Sequence, residues 1–146
     1  MIVEYPDMPP LGDHGHKQGS LILLHGGRHG GRWQHAMALK LDKQVGSSGS
    51  IVMTPKQPLT MDAWSLLVEA ADAIAFWIGD GFDVPYLEEW VHLGYALGVA
   101  GDRLLVGVDP RCKHPMKSVV EGLSPVWTSE DDLRTALALR CSNMRG

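Results

Sequence analysis

Residues 73–78 read AIAFWI, apolar at every position. A strand with one wet face alternates apolar and polar residues. A strand that never alternates is covered on both faces, as in a parallel sheet with helices on either side. Three more short runs share this character, at 20–24 (SLILL), 51–54 (IVMT) and 104–108 (LLVGV). Segments of helical spacing separate them. Trp33, Met37 and Leu41 recur on one face, as do Trp64, Leu67, Val68 and Ala71. Thr60 is placed to cap the second of these helices, and Pro85 suits the first turn of a helix over about 85–98. A short helix is expected over 116–121, a short fifth strand at Val126-Trp127, and a last helix opened by Ser129 with Glu130, Asp131 and Asp132. Strands alternating with helices predict an α/β domain with a doubly wound, flavodoxin- or Rossmann-like parallel sheet of four to five strands. In such sheets ligands bind beyond the C-terminal strand ends, where the strand order reverses. That rule singles out the loops at 25–32, 55–59 and 79–89.

The 146 residues fit one domain. Residues 1–19 read as an irregular N-terminal arm, because Pro6, Pro9 and Pro10 and three glycines break any period; residues 20–146 form the domain. With 45% hydrophobic and 21% charged residues the chain can bury a core. A net charge of −4 argues against a nucleic-acid polymer as partner, and no apolar run has the length of a membrane span. The first residues lack the apolar centre of a secretory signal. Cys112 and Cys141 make no metal-type pair, so a reducing, cytoplasmic location is expected.

The stretch LILLHGGRHGGRWQH at 21–35 poses the functional question. Its His-Gly-Gly resembles the oxyanion loop of lipases and esterases, but those enzymes need a G-x-S-x-G elbow, and GSSGS and GLSPV both miss that spacing. It is no phosphate-binding motif either. A glycine turn before a helix still offers backbone N–H groups to an anion, with Arg28 or Arg32 beside it; the plain alternative is a tight strand-to-helix turn. Five of the seven histidines (His14, His16, His25, His29, His35) crowd this end of the chain, without cysteines or a compact acidic cluster and in no metal-ligand spacing. No metal or other cofactor is expected.

Taken in order, several segments over residues 21–110 resemble the nucleoside 2-deoxyribosyltransferase family and its N-glycosidase relatives. They are LILLHGG with RWQ, IVMTPKQ, AADAIAFWI, and DVPYLEEWVHLGYALGVAGDRLLVGVDP. The resemblance implies a nucleoside or nucleotide substrate and a homodimer or larger assembly formed through helices near the pocket. In the family the residue two before the glycine of Gly-Tyr-Ala is the catalytic glutamate; here it is His92. Counted from the acidic loop, Glu89 falls at about the family spacing, as if one extra helical turn lay between the two landmarks. His92 shares a helix face with both Glu88 and Glu89.

Cleaving an N-glycosidic bond produces an oxocarbenium-like sugar, which a carboxylate traps at C1′ while an acid protonates the departing base. The resemblance gives Glu89 the first role and Asp83 the second, with His92 and Asp72 in the catalytic set, Asp72 positioning sugar or base. Substrate binding falls to His25, Gly26, Gly27, Arg28, Trp33, Pro55, Lys56, Trp77 and Glu88, with Phe76 adding stacking surface. Each has a plain alternative: a solvated first helical turn for Glu88 and Glu89, a turn residue for Asp72, core for Trp77 and His92. A non-catalytic nucleotide-binding module that has lost its glutamate is the competing reading of the whole. Since the histidine-rich loop is read as binding through backbone amides, a chelator or added zinc is expected to leave the thermal midpoint unchanged; a chelator-induced fall of several degrees would make His25 and His29 ligands instead.

Overall fold

The computed structural model describes residues 1–5, 7, 20–26, 31–45, 49–54, 59–79 and 87–145, without the side chains of residues 31, 32, 45, 87, 88 and 143–145. The chain forms a doubly wound α/β domain around a six-stranded, wholly parallel sheet. Its strands are β1 (Ile2–Glu4), β2 (Leu21–Gly26), β3 (Ser50–Met53), β4 (Ala73–Ile78), β5 (Leu104–Val108) and β6 (Val126–Trp127), in the order β1-β3-β2-β4-β5-β6. The helices are α1 (Gly31–Val45), α2 (Met61–Ala70), α3 (Leu87–Val99), α4 (Met116–Leu123) and α5 (Glu130–Arg145). None among the described residues is long and apolar enough to cross a membrane.

The sheet has one strand more than the four to five expected. The addition is β1, from the segment read as an irregular arm, which lies at the edge with Ile2, Val3 and Glu4 beside Ile51, Val52 and Met53. Three residues show no period, so an edge strand this short leaves no signature in sequence.

The apolar strands divide their side chains between two cores. Leu21, Leu23, Ile74, Phe76, Ile78, Val106 and Val108 meet Trp64, Leu67 and Val68 of α2 and Trp90, Leu93 and Ala96 of α3. Ile22, Leu24, Ile51, Ala73, Ala75, Trp77 and Leu105 meet Trp33, Met37 and Leu41 of α1 and Leu133 and Leu137 of α5. Both layers are needed because β2, β4 and β5 are buried along their whole lengths. Both cysteines are buried, Cys112 in the first core and Cys141 in the second, so the sheet separates them. Caps fall where the sequence puts them: Thr60 Oγ1 accepts from Ala63 N at 3.1 Å, and Ser129 Oγ from Asp132 N at 3.0 Å.

The winding reverses at β2. The chain passes from β2 to β3 on one side, then crosses to β4 on the other. The C-terminal ends of β2 and β4 therefore flank the crevice where ligands bind in such folds.

Two glycines show how tightly, and how unevenly, this frame is packed. A Cβ on Gly107 would lie 2.4 Å from Trp77 Cε3 and 2.7 Å from its Cζ3, so β5 needs a bare backbone there for the indole on the neighbouring strand. A Cβ on Gly94 of α3 would meet nothing within 4 Å. Gly107→Ala is expected to destabilise by about 1–3 kcal/mol through overpacking. Gly94→Ala is expected to stabilise by roughly 0.5–1 kcal/mol, since alanine favours a helix interior. Urea denaturation of the two variants checks both signs.

Candidate functional site

Two polar residues at the ends of apolar strands and one on α3 are buried together beside the crevice. His25, at the penultimate position of β2, is 4% exposed, and Thr54, just after β3, is 7% exposed. His92, on α3, is 2% exposed. A hydrogen-bonded chain links them. Thr54 Oγ1 contacts both the Leu24 carbonyl, at 3.1 Å, and His25 Nδ1. His25 Nε2 lies 3.2 Å from His92 Nδ1, and His92 Nε2 donates to the Leu59 carbonyl at 3.0 Å. Apolar and aromatic groups close around the two imidazoles. The Trp64 ring centroid is 4.4 Å from that of His25 and 5.3 Å from that of His92, and Phe76 meets His25 edge-on at 5.3 Å. Trp64 Nε1 also donates to the His92 carbonyl at 2.9 Å, fixing α3 against α2.

This cluster ties three elements to the mouth of the crevice. Thr54 and Leu59 flank residues 55–58, so the histidine pair holds both ends of that segment to β2 and α3. The sequence marks His25 and His92 but leaves Thr54, Leu59 and the second role of Trp64 unmarked. Their partners lie 29, 33 and 28 residues away, beyond the reach of any local pattern.

A second set of contacts surrounds Gly26, the last residue of β2. Gly26 has φ of +95°, and a Cβ there would lie 2.6 Å from the Trp77 carbonyl and 3.0 Å from Phe76 Cε1. Glycine is thus required by both conformation and space. The Gly26 carbonyl accepts from Trp33 Nε1 at 2.8 Å and from Gln34 Nε2 at 3.1 Å. The same Gln34 amide accepts Thr54 N at 2.8 Å through its Oε1. Gln34 is 1% exposed, and it joins the ends of β2 and β3 through the first turn of α1. It has no counterpart among the sequence candidates; its only local sign is its place one residue after Trp33.

The remaining candidates fall in different places. Glu89 is 5% exposed on α3, three residues before His92. Residues three apart share a helix face, so Glu89 and His92 lie on one face of α3. Trp33 and Trp77, with ring centroids 6.5 Å apart, lie in the α1/α5 core, on the other side of the sheet from His25. Trp77 is only 6% exposed and covers Gly107, so it packs as core and offers no stacking face beside the histidines. Phe76 is the strand aromatic on the His25 side.

Asp72 is corrected. It precedes β4, and its Oδ2 accepts from the backbone N of Leu21, the first residue of β2, at 2.8 Å. It therefore ties the N-terminal ends of β2 and β4. With roughly 3.3 Å per strand residue, that edge is about 16 Å from the crevice. Gly27, Arg28, Pro55, Lys56 and Asp83 lie outside the described residues, as does the side chain of Glu88. His35 is exposed on α1.

The far side of the crevice is bounded by the end of β5, where Asp109 N donates to the Ile78 carbonyl at 2.8 Å. Arg111 grips the Asp109 carboxylate through Nε at 3.1 Å and Nη2 at 2.9 Å. These hydrogen bonds, outweighing the upward push of partial burial, hold that carboxyl below its usual range. His114 stacks on Trp90, next to Glu89, with centroids 4.7 Å apart. Among the described residues no three histidine, cysteine or acidic side chains gather as a metal site.

Compared with known proteins, the chain matches no family model, and no curated protein is significantly similar to it. The case for a function therefore rests on the residues themselves. The Gln34 bridge gives a first check. Gln34→Ala leaves Thr54 N–H without its buried acceptor and is expected to cost about 1–3 kcal/mol in urea denaturation. His35→Ala, one position on and exposed, is expected to change stability by less than about 0.5 kcal/mol.

Proposed function

We propose that the chain binds a nucleoside or nucleotide in the crevice between the C-terminal ends of β2 and β4, and cleaves or transfers at its N-glycosidic bond with Glu89 as carboxylate nucleophile. One observation carries the reading: a buried carboxylate in the first turns of α3, on the helix face that meets His25 at the end of β2. Carboxylates are seldom buried without a purpose, because leaving water costs several kcal/mol. A position near a helix N-terminus favours the ionised form that a nucleophile needs.

In this mechanism Glu89 attacks C1′ of the sugar as the bond to the base breaks. The base leaves with a proton from Asp83. The glycosyl–Glu89 ester is then opened by water, or by a second base, which gives its proton to the Asp83 carboxylate, so that both Asp83 and the Glu89 carboxylate are restored. Backbone N–H groups of the turn after β2, with Arg28, meet a 5′-phosphate where the substrate has one. Asp72, at the opposite sheet edge, takes no part.

His92 supports a second reading, a nucleotide-binding module without catalysis. It stands where the resembled family has its glutamate, and its two ring nitrogens are engaged by His25 and the Leu59 carbonyl. It is thus built into the frame and is not presented to a substrate.

Release of free base from a panel of nucleosides and their monophosphates, followed by chromatography, decides between the two. Glu89→Ala is expected to abolish release while calorimetry still records binding, because a nucleophile acts on the transition state. Wild-type protein that binds nucleotide but releases no base establishes the binding module. Equal cleavage by wild type and Glu89→Ala removes Glu89 from the nucleophile's role.

A further inference from the structure

The basic residues of the chain are not spread evenly. Residues 110–120 hold Arg111, Lys113 and Lys117, with His114 among them and no acid, in a chain whose net charge is −4. This stretch connects β5 to α4 at the sheet edge where ligands bind in such folds. Two contacts fix it to the walls of the crevice. Asp109 N, just before it, donates to the carbonyl of Ile78, the last residue of β4, and His114 stacks on Trp90 of α3. The segment is also held in shape from within. Asp109 accepts from Arg111 N at Oδ1 and from Cys112 N at its carbonyl, both at 2.9 Å, and Cys112 is buried in the α2/α3 core. Lys117 Nζ donates to the Pro110 carbonyl at 3.2 Å. His114 Nδ1 accepts from Met116 N at 3.1 Å, so the hydrogen of the neutral ring is on Nε2. That contact, with Lys117 N donating to the His114 carbonyl at 3.0 Å, occupies the first backbone donors of α4, so what the segment offers is side chains.

The charges do not cancel. Arg111 already grips the Asp109 carboxylate. Glu130, at the start of α5, is near enough to act on Asp109, and burial pushes its carboxyl above the usual range. Three cations still outnumber these two acids. Asp131 is paired with Lys40 and Arg134 in the other helix layer. Glu121 lies a turn further along α4, away from the crevice edge, and among the described residues it makes no ion pair with Lys117. Lys113 is exposed and has no partner among those residues, and none of them accepts the His114 Nε2 hydrogen.

We propose that Lys113, Lys117 and the Nε2–H of His114 form a subsite for a phosphoryl group on the β5–α4 rim of the crevice. Lysine serves phosphate as a compact point charge, and an excess of one sign beside a crevice gathers ions of the other. Arg111, by holding Asp109, leaves the two lysines to the ligand. The subsite lies two strands along the sheet from the turn after β2, which meets a 5′-phosphate in the proposed function. The group it takes is therefore a second one, either free phosphate or a further phosphoryl group of the nucleotide. Its being the second group rests on the nucleotide reading; the binding of phosphate does not.

Backbone 1H–15N spectra of the full chain, titrated with inorganic phosphate at low salt, locate the site. Amide shifts are expected within residues 111–117, and the affinity read from them is expected to fall as sodium chloride is added. Lys113→Glu, at a residue whose side chain holds no part of the fold, is expected to weaken that affinity about tenfold. Lys43→Glu, the same charge change in the last turn of α1, is expected to leave it unchanged. Absence of shifts at 111–117, an affinity that Lys113→Glu does not alter, or an equal loss in Lys43→Glu overturns the proposal. Two arms separate the sources. Shifts produced there by a nucleoside 3′,5′-bisphosphate and not by its 5′-monophosphate place the group on the nucleotide, and inorganic phosphate that shifts these residues with the monophosphate bound is itself the ligand. Shifts already produced by the 5′-monophosphate overturn the assignment to a second group. Phosphate binding at 111–117 in a chain that binds no nucleotide defeats the nucleotide reading and leaves the subsite standing, whereas nucleotide binding in a chain whose 111–117 amides ignore phosphate does the reverse.

Discussion

The parallel pairing of β2 with β4 is the contact on which the rest of the structure depends. It joins the two halves of the winding, and it is covered on both faces. Leu23 and Phe76 point to α2 and α3, Leu24 and Ala75 to α1 and α5. With no water on either side, every polar group near this pair needs an internal partner. At the N-terminal edge Asp72 and the Leu21 backbone supply one another. At the C-terminal edge the task is larger, because the chain turns sharply at Gly26 and two further strands end nearby. Gln34, Trp33, Thr54, His25 and His92 together close that end, each binding a backbone group or another member of the set. The crevice thus has a floor of hydrogen-bonded groups.

How legible this was differs between the two edges and has a physical reason. Strands β4 and β5 coincide with the runs of apolar residues, because a strand buried on both faces announces itself at every position. Helix ends follow Thr60 and Ser129, because caps are local. Strand β1 fails that test: three residues at a sheet edge carry neither period nor length. For Asp72 the resemblance outweighed the topology. A strand beginning at Ala73 in a parallel sheet puts its preceding residue at the edge opposite the ligand crevice, whatever a similar Ala-Asp does elsewhere. The polar floor is illegible for a different reason. Gln34, Thr54, Trp64 and His92 come from four elements, and what joins them is the packing of two layers, which no local spacing expresses.

The aromatic residues show the same division. Phe76 and Trp77 are adjacent in sequence, yet the period of two along β4 sends Phe76 to one side and Trp77, with Trp33 of α1, to the other. Trp77 is held by the bare backbone of Gly107 and by Leu133 behind it. Its indole fills the α1/α5 core, and with Trp33 spending its N–H on Gly26, neither ring is available to a base. Stacking in the crevice must come from the His25 side, where Phe76 already braces the imidazole.

The histidine in VHLGYA, at the position where the resembled family has a glutamate, has a clear structural role in α3. A carboxylate at position 92 would sit among Trp64, His25 and the Leu59 carbonyl. Its oxygens would then face a carbonyl oxygen where the imidazole N–H now donates. Histidine satisfies that carbonyl and reaches His25 with its other nitrogen, two demands that a carboxylate, an acceptor only when ionised, cannot meet together. Three residues earlier on α3 lies a position on the same helix face. Glu89 occupies it, buried.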